Sequence, residues 1–106
     1  MRTARMKFYH RTKAKSSRSI LANGFRDTTG SYLLEGVKLS GVFVSNVPLD
    51  ENEGAWGDTL LEIELKLSRR DLAFYELKEN GKPFREWCFP AKLLNRAAVR
   101  VKIEND

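Results

Sequence analysis

An α+β fold is predicted: a small, mostly antiparallel β sandwich with one helix near the N-terminus. Three stretches of the sequence predict it. Leu61, Ile63, Leu65 and Leu67 alternate with Glu62, Glu64 and Lys66, the period of a strand with one buried and one wet face. Asn80-Gly81 stands between two apolar runs, the strongest short signal for a hairpin and hence for antiparallel pairing. Ala14, Ser17, Ile20 and Leu21 recur at helical spacing, and Gly24 follows where a helix commonly ends.

The other elements are placed between these. Met1 to Arg5 are polar and basic and are expected to fray as a tail, leaving a single domain over residues 6–106. Lys7 to His10 reads as a first strand and Lys13 to Asn23 as the helix, after which Phe25 turns back toward the core. Asp27 to Ser31 is rich in turn formers and predicts a loop, and Tyr32 to Leu34 a short extended piece. Gly41 to Ser45, β-branched and aromatic, predicts a strand ending at Asn46-Val47-Pro48. Leu49 to Asp58 is a loop carrying Glu51, Glu53 and Trp56; it either recognises substrate or is a plain turn with a packing tryptophan. Ser68 to Asp71 predicts a turn, and Leu72–Leu77 with Pro83–Phe89 the two hairpin arms. Pro90 to Leu94 suits a helical turn opened by proline and ending near Asn95. Val99, Val101 and Ile103 alternate with charged residues as a last strand.

Composition narrows the function classes. The 106 residues suffice for one core. One cysteine, Cys88, excludes an intramolecular disulfide framework and a multi-cysteine zinc site. Between Trp87 and Phe89 it is expected to be an inert buried thiol. One histidine excludes a two-histidine metal centre, so no metal is expected. No glycine-rich phosphate loop of the P-loop or dinucleotide-binding kind occurs. No apolar run approaches the ~18 residues of a membrane helix and no leader is evident, so no membrane partner and a cytoplasmic location are expected. The net charge of +5 is unevenly spread: Met1 to Arg26 contains eight basic residues and no acid. Such a segment either meets a polyanion or is a solvated surface.

The residues left to carry chemistry are His10 at a strand end, Phe43 in a strand and Glu86 in a late strand. Each has an ordinary structural explanation alone: a hydrogen-bonded histidine, a core phenylalanine, a strand carboxylate paired with Arg85 or a neighbour. Their order and context say more. Tyr9-His10-Arg11-Thr12, Ile20-Leu21-Ala22-Asn23-Gly24-Phe25, Gly41-Val42-Phe43-Val44-Ser45 and Phe84-Arg85-Glu86-Trp87 together resemble the ADP-ribosyltransferase superfamily. The resemblance is to its His-Tyr-Glu branch, of the diphtheria-toxin and poly(ADP-ribose) polymerase type. It runs in order from Tyr9 to about Asn95.

The resemblance implies an ADP-ribosyltransferase-like fold that binds NAD. It places His10 on the adenosine-side ribose with Thr12 beside it, Phe43 against nicotinamide, and Glu86 at the nicotinamide ribose as the catalytic carboxylate. Tyr32 would be a further nicotinamide-facing aromatic, and Ser45, in the same strand as Phe43, a further cofactor-binding residue. Two positions depart from the pattern. Phe43 replaces the family tyrosine, keeping the stacking face and losing the hydroxyl. Arg11 replaces glycine, and its long side chain either obstructs NAD or reaches the pyrophosphate, as Lys13 and Arg18 would from the helix. The activity implied is transfer of ADP-ribose to a protein or nucleic-acid acceptor, as in a toxin-like modifying enzyme, or hydrolysis of NAD. The alternatives are a non-catalytic nucleotide- or RNA-binding module of the same fold, and an NAD-dependent RNA 2′-phosphotransferase-like enzyme suited to the basic segment.

Overall fold

The computed structural model describes residues 3–31, 38–50, 55–78 and 81–104. The chain folds as a small α+β domain with a mostly antiparallel sheet and few helices. In order, the elements are β1 (Thr3–Thr12), α1 (Ala14–Asn23), β2 (Thr28–Ser31), β3 (Lys38–Ser45), β4 (Thr59–Ser68), α2 (Arg69–Phe74), β5 (Glu76–Leu77), β6 (Glu86–Phe89), α3 (Ala91–Leu94) and β7 (Ala98–Lys102). The strands connect in the order β5-β6-β3-β1-β4-β7, with β2 paired to β3. The strands therefore join into one sheet, where the sequence predicts a sandwich of two. The join is narrow: β1 and β3 share one ladder pair, Tyr9 with Ser45, whereas β1 and β4 pair continuously from Thr3–Ser68 to Thr12–Thr59.

That long β1–β4 ladder corrects the expected tail, because Thr3, Ala4 and Arg5 are strand residues opposite Ser68, Leu67 and Lys66. Other boundaries also shift. Thr28 to Ser31, expected as a loop, pairs with Gly41 to Lys38. Ser68 to Asp71, expected as a turn, opens α2, with the Ser68 hydroxyl accepting a hydrogen bond from the Asp71 amide at 3.1 Å. This helix takes Leu72 to Phe74 out of the predicted hairpin arm and leaves only Glu76 and Leu77 to pair with β6. Asn80 and Tyr32 lie outside the described residues, as do residues 51–54 of the loop.

Alternation decides which face is buried. Phe8, Val44, Ile63 and Trp87 point to the core, each at most 2% exposed. Phe8 meets Trp87 and Phe89 edge-on, with ring centroids 5.0 and 5.1 Å apart. The Trp87 indole N–H donates to the Leu72 carbonyl at 2.9 Å, so the one polar atom of this cluster has a partner. Ile20 of α1 and Leu94 of α3 pack against the same cluster, and Phe25 fills it as expected. Cys88 faces away from Trp87 and is buried, as expected, with its thiol raised in pKa by burial.

Side chains distant in sequence complete the local structure. Lys13 provides no side-chain cap for α1; instead the Asp58 carboxylate accepts from the Ala14 amide at 3.0 Å. Gly24 ends the helix at φ 88, its amide donating to the Ile20 carbonyl. Next to it, the Asn95 side chain both accepts from the Phe25 amide and donates to its carbonyl. Asp27 accepts from the Ala91 amide and so caps α3.

Gly57 ties the segment before β4 to β1. At φ 132, a Cβ built on it would lie 2.3 Å from the Thr12 carbonyl carbon and oxygen. Backbone strain and backbone overlap therefore act together. Gly57→Ala is expected to lower stability by about 2 kcal/mol or more in urea denaturation. An unchanged midpoint would contradict this close approach.

Candidate functional site

The single Tyr9–Ser45 pair is where the site begins. Continuing the ladder would set His10 against Val44 and Arg11 against Phe43, but no such pairs form. Instead the His10 imidazole reaches the strand edge, with Nδ1 2.7 Å from the Phe43 carbonyl oxygen. A carbonyl oxygen only accepts, so Nδ1 carries the proton and Nε2 presents a lone pair. The ring stands edge-on to Phe25, centroids 5.9 Å apart. Burial lowers the His10 pKa, and the hydrogen bond to Phe43 opposes this only partly.

Two adjoining hollows share His10 and Phe43. One, of about 150 Å³, is lined by Tyr9, His10 and Arg11 of β1, Phe43 and Ser45 of β3, Glu86 of β6, and Leu49 and Trp56 of the segment before β4. The other, of about 300 Å³, runs toward α1 and is lined by His10, Thr12, Ser16, Ser19, Arg26, Thr28 and Phe43. The three residues singled out in the sequence, His10, Phe43 and Glu86, thus converge on one cleft, with Arg11 and Ser45. Thr12 lies on the other side of the His10–Phe43 wall, in the second hollow.

Register accounts for the convergence. Glu86 pairs with Ser45, and Ser45 with Tyr9, so these side chains project from one face of three neighbouring strands. Phe43, two residues before Ser45, projects to the same face. It is half-buried rather than a core residue, and it lines both hollows. The Ser45 hydroxyl donates to the Val47 carbonyl at 2.7 Å and holds the turn after β3.

The charges of the cleft are in ion pairs. Arg11 grips Glu104 with both terminal nitrogens, at 2.8 and 2.7 Å, and its Nε donates to the Leu49 carbonyl. Glu104 holds the guanidinium pKa above its usual value, and Arg11 holds that carboxyl below its usual range. Arg11 thus walls the cleft with its head group turned away toward the end of the chain. Glu86 takes Lys82 at 3.1 Å rather than Arg85, whose guanidinium goes to Glu76. Lys13, Lys15 and Arg18 do not line either hollow; the cation in the larger one is Arg26.

Glu104, Lys82 and Asp58 were not legible as partners of this region, since they lie 93 residues from Arg11, in the turn of the predicted hairpin and 44 residues from Ala14 respectively. Only Trp56 carried a signal, as an aromatic in a polar loop; it is 69% exposed at the cleft. Among the described residues no group of three or more His, Cys, Asp or Glu is placed to hold a metal ion. Comparison of the chain with protein-family models, with curated proteins and with solved structures finds no match.

The geometry of His10 has a measurable consequence. Its folded pKa lies below the usual 6.5, so the unfolded chain binds the proton more readily between the two values. Stability contributed by this group is present above pH ~6.5 and falls as pH drops from there toward the folded pKa. NMR titration of the imidazole is expected to give a midpoint below 6.5 and, above it, the Nδ1–H tautomer. A midpoint at or above 6.5 would contradict the buried setting.

Proposed function

We propose that the chain is an NAD-binding ADP-ribosyltransferase-like protein that cleaves the bond between nicotinamide and ribose and passes ADP-ribose to a macromolecule or to water. The observation that supports this reading is the meeting of His10, Phe43 and Glu86 in one cleft, in the order and on the strands the resemblance implies. Two of them also border a second hollow, so a ligand with two halves has two adjoining places to lie.

Each residue type suits its part. The Phe43 ring offers a flat apolar face for a planar nicotinamide. His10, with Nδ1–H held by a carbonyl, turns Nε2 as an acceptor toward a ribose hydroxyl. When the glycosidic C–N bond breaks, its electron pair leaves with nicotinamide, which becomes neutral, and positive charge develops on the ribose. The Glu86 carboxylate stabilises that oxocarbenium-like charge and orients the sugar through a hydroxyl. The acceptor hydroxyl, or water, then bonds to the anomeric carbon and loses its proton. Because Arg11 is bound to Glu104, phosphates would be met from the second hollow, by Arg26 and the hydroxyls of Ser16 and Ser19.

A second reading, non-catalytic nucleotide binding, is favoured by Arg11, a large side chain on the cleft wall where the family carries glycine. One assay separates the two. Wild-type protein incubated with NAD is expected to release nicotinamide, and Glu86→Gln to lose at least ~100-fold of that rate at an unchanged urea midpoint. Undiminished release by the variant would overturn the role of Glu86. Binding of NAD by wild-type protein without release would establish the second reading.

A further inference from the structure

The face of the sheet that carries Glu86 and Ser45 continues, across the single Tyr9–Ser45 pair, onto β1, β4 and β7. Tyr9 pairs with Glu62 of β4, and Glu62 with Arg100 of β7. Along this extension Arg5 and Lys7 of β1, Lys66 of β4, and Arg100 and Lys102 of β7 share one face with two carboxylates, Glu62 and Glu64. Glu62 is 4% exposed and lies beneath its partners, Arg100 at 2.6 Å, Lys7 at 3.5 Å and Lys102 at 3.7 Å. One buried carboxylate thus orders three cations whose side chains remain 40–71% exposed. The five cations outnumber the two acids by three, on an open, regular surface. Trp56 stands at the far end, at the mouth of the cleft, with 69% of its surface exposed.

We propose that this face docks a single-stranded nucleic acid, with its phosphates along β1, β4 and β7 and a base stacked on Trp56 beside the cleft. Charge complementarity argues for a polyanion. Alternate residues on a strand lie about 6.6 Å apart and neighbouring strands about 4.8 Å apart, so the cations form a grid that an extended phosphate chain meets repeatedly. The exposed tryptophan favours nucleic acid over an acidic peptide, because every charged unit of a nucleic acid carries a planar base to stack, whereas Asp and Glu carry none. The proposal rests on the reading of the cleft as an ADP-ribosyltransferase-like site in one respect: there, the docked strand is the acceptor. Docking itself requires no NAD.

The test is fluorescence anisotropy with labelled single-stranded RNA and DNA of about 12 nucleotides, without NAD, over ~50–200 mM salt. Binding is expected to weaken with salt at a log–log slope of about −2 to −3 and to quench tryptophan emission. Trp87 is fully buried, so the quenching reports Trp56 and is expected to vanish in Trp56→Ala, with about tenfold weaker binding at the same slope. Arg5→Gln/Lys66→Gln, which leaves the cations around Glu62 in place, is expected to reduce the slope by about 1. An unchanged slope in that variant would overturn the proposal, as would polyglutamate of equal charge binding as tightly. Nicotinamide release is measured separately. Salt-dependent binding with no release would keep the docking face and remove the enzymatic reading; release without oligonucleotide binding would do the reverse.

Discussion

The hydrogen bond from the His10 imidazole to the Phe43 carbonyl stands where a β ladder stops, and the arrangement of the cleft follows from it. A strand edge inside a domain cannot leave its carbonyls unpaired at no cost. A side chain here takes the place of a strand, and β1 and β3 separate beyond Tyr9 and Ser45. That opening brings Phe43 and Glu86 to the cleft that β1 borders. On the opposite face, the cluster of Phe8, Trp87 and Phe89 keeps the same strands together, so the split is confined to one side of a firmly packed sheet. Along β1, Phe8 therefore faces the core and Tyr9 and Arg11 the cleft, while His10, on the Phe8 side, reaches the cleft at the split.

Electrostatics reinforces that geometry. Arg11 lies on the cleft wall, and its planar fork on Glu104 with a further bond to the Leu49 carbonyl fixes both the end of the chain and the segment before β4. The Arg11 side chain is 10% exposed and that of Glu104 43%, so the pair is packed on one side and open to screening by salt on the other. Asp58 performs a similar service at the start of α1, and Asp27 at α3. Three elements around the site thus depend on carboxylates that arrive from elsewhere in the chain.

Local periodicity made much of this legible. The alternation over Leu61 to Leu67, the helical spacing after Lys13 and the proline-led turn at Pro90 all became the elements they describe, and His10, Phe43, Ser45 and Glu86 all reached one cleft. What sequence could not show was set by pairing. Glu62 sits in the polar half of an alternating strand yet is buried, because Arg100, Lys7 and Lys102 arrive from both neighbours. Thr28 to Ser31 is a strand because β3 is beside it, against its own turn-forming composition. α2 was signalled by Ser68 and Asp71 at capping spacing, but a short helix between strands has little periodicity to show. The two partners of Arg11 lie 38 and 93 residues away, beyond the reach of any local pattern.

Cys88 gives this fold a chemical clock. It is the only thiol in the chain, it lies in the strand that carries Glu86, it stands opposite Phe43 in register, and its amide donates to the Tyr75 carbonyl. Burial keeps the sulfur protonated as well as covered, and a thiol reagent needs a reachable thiolate. Modification of the native protein therefore waits on separation of β6 from its neighbours. The rate at which that single sulfur is labelled counts the openings of the strand on which the carboxylate of the cleft is mounted.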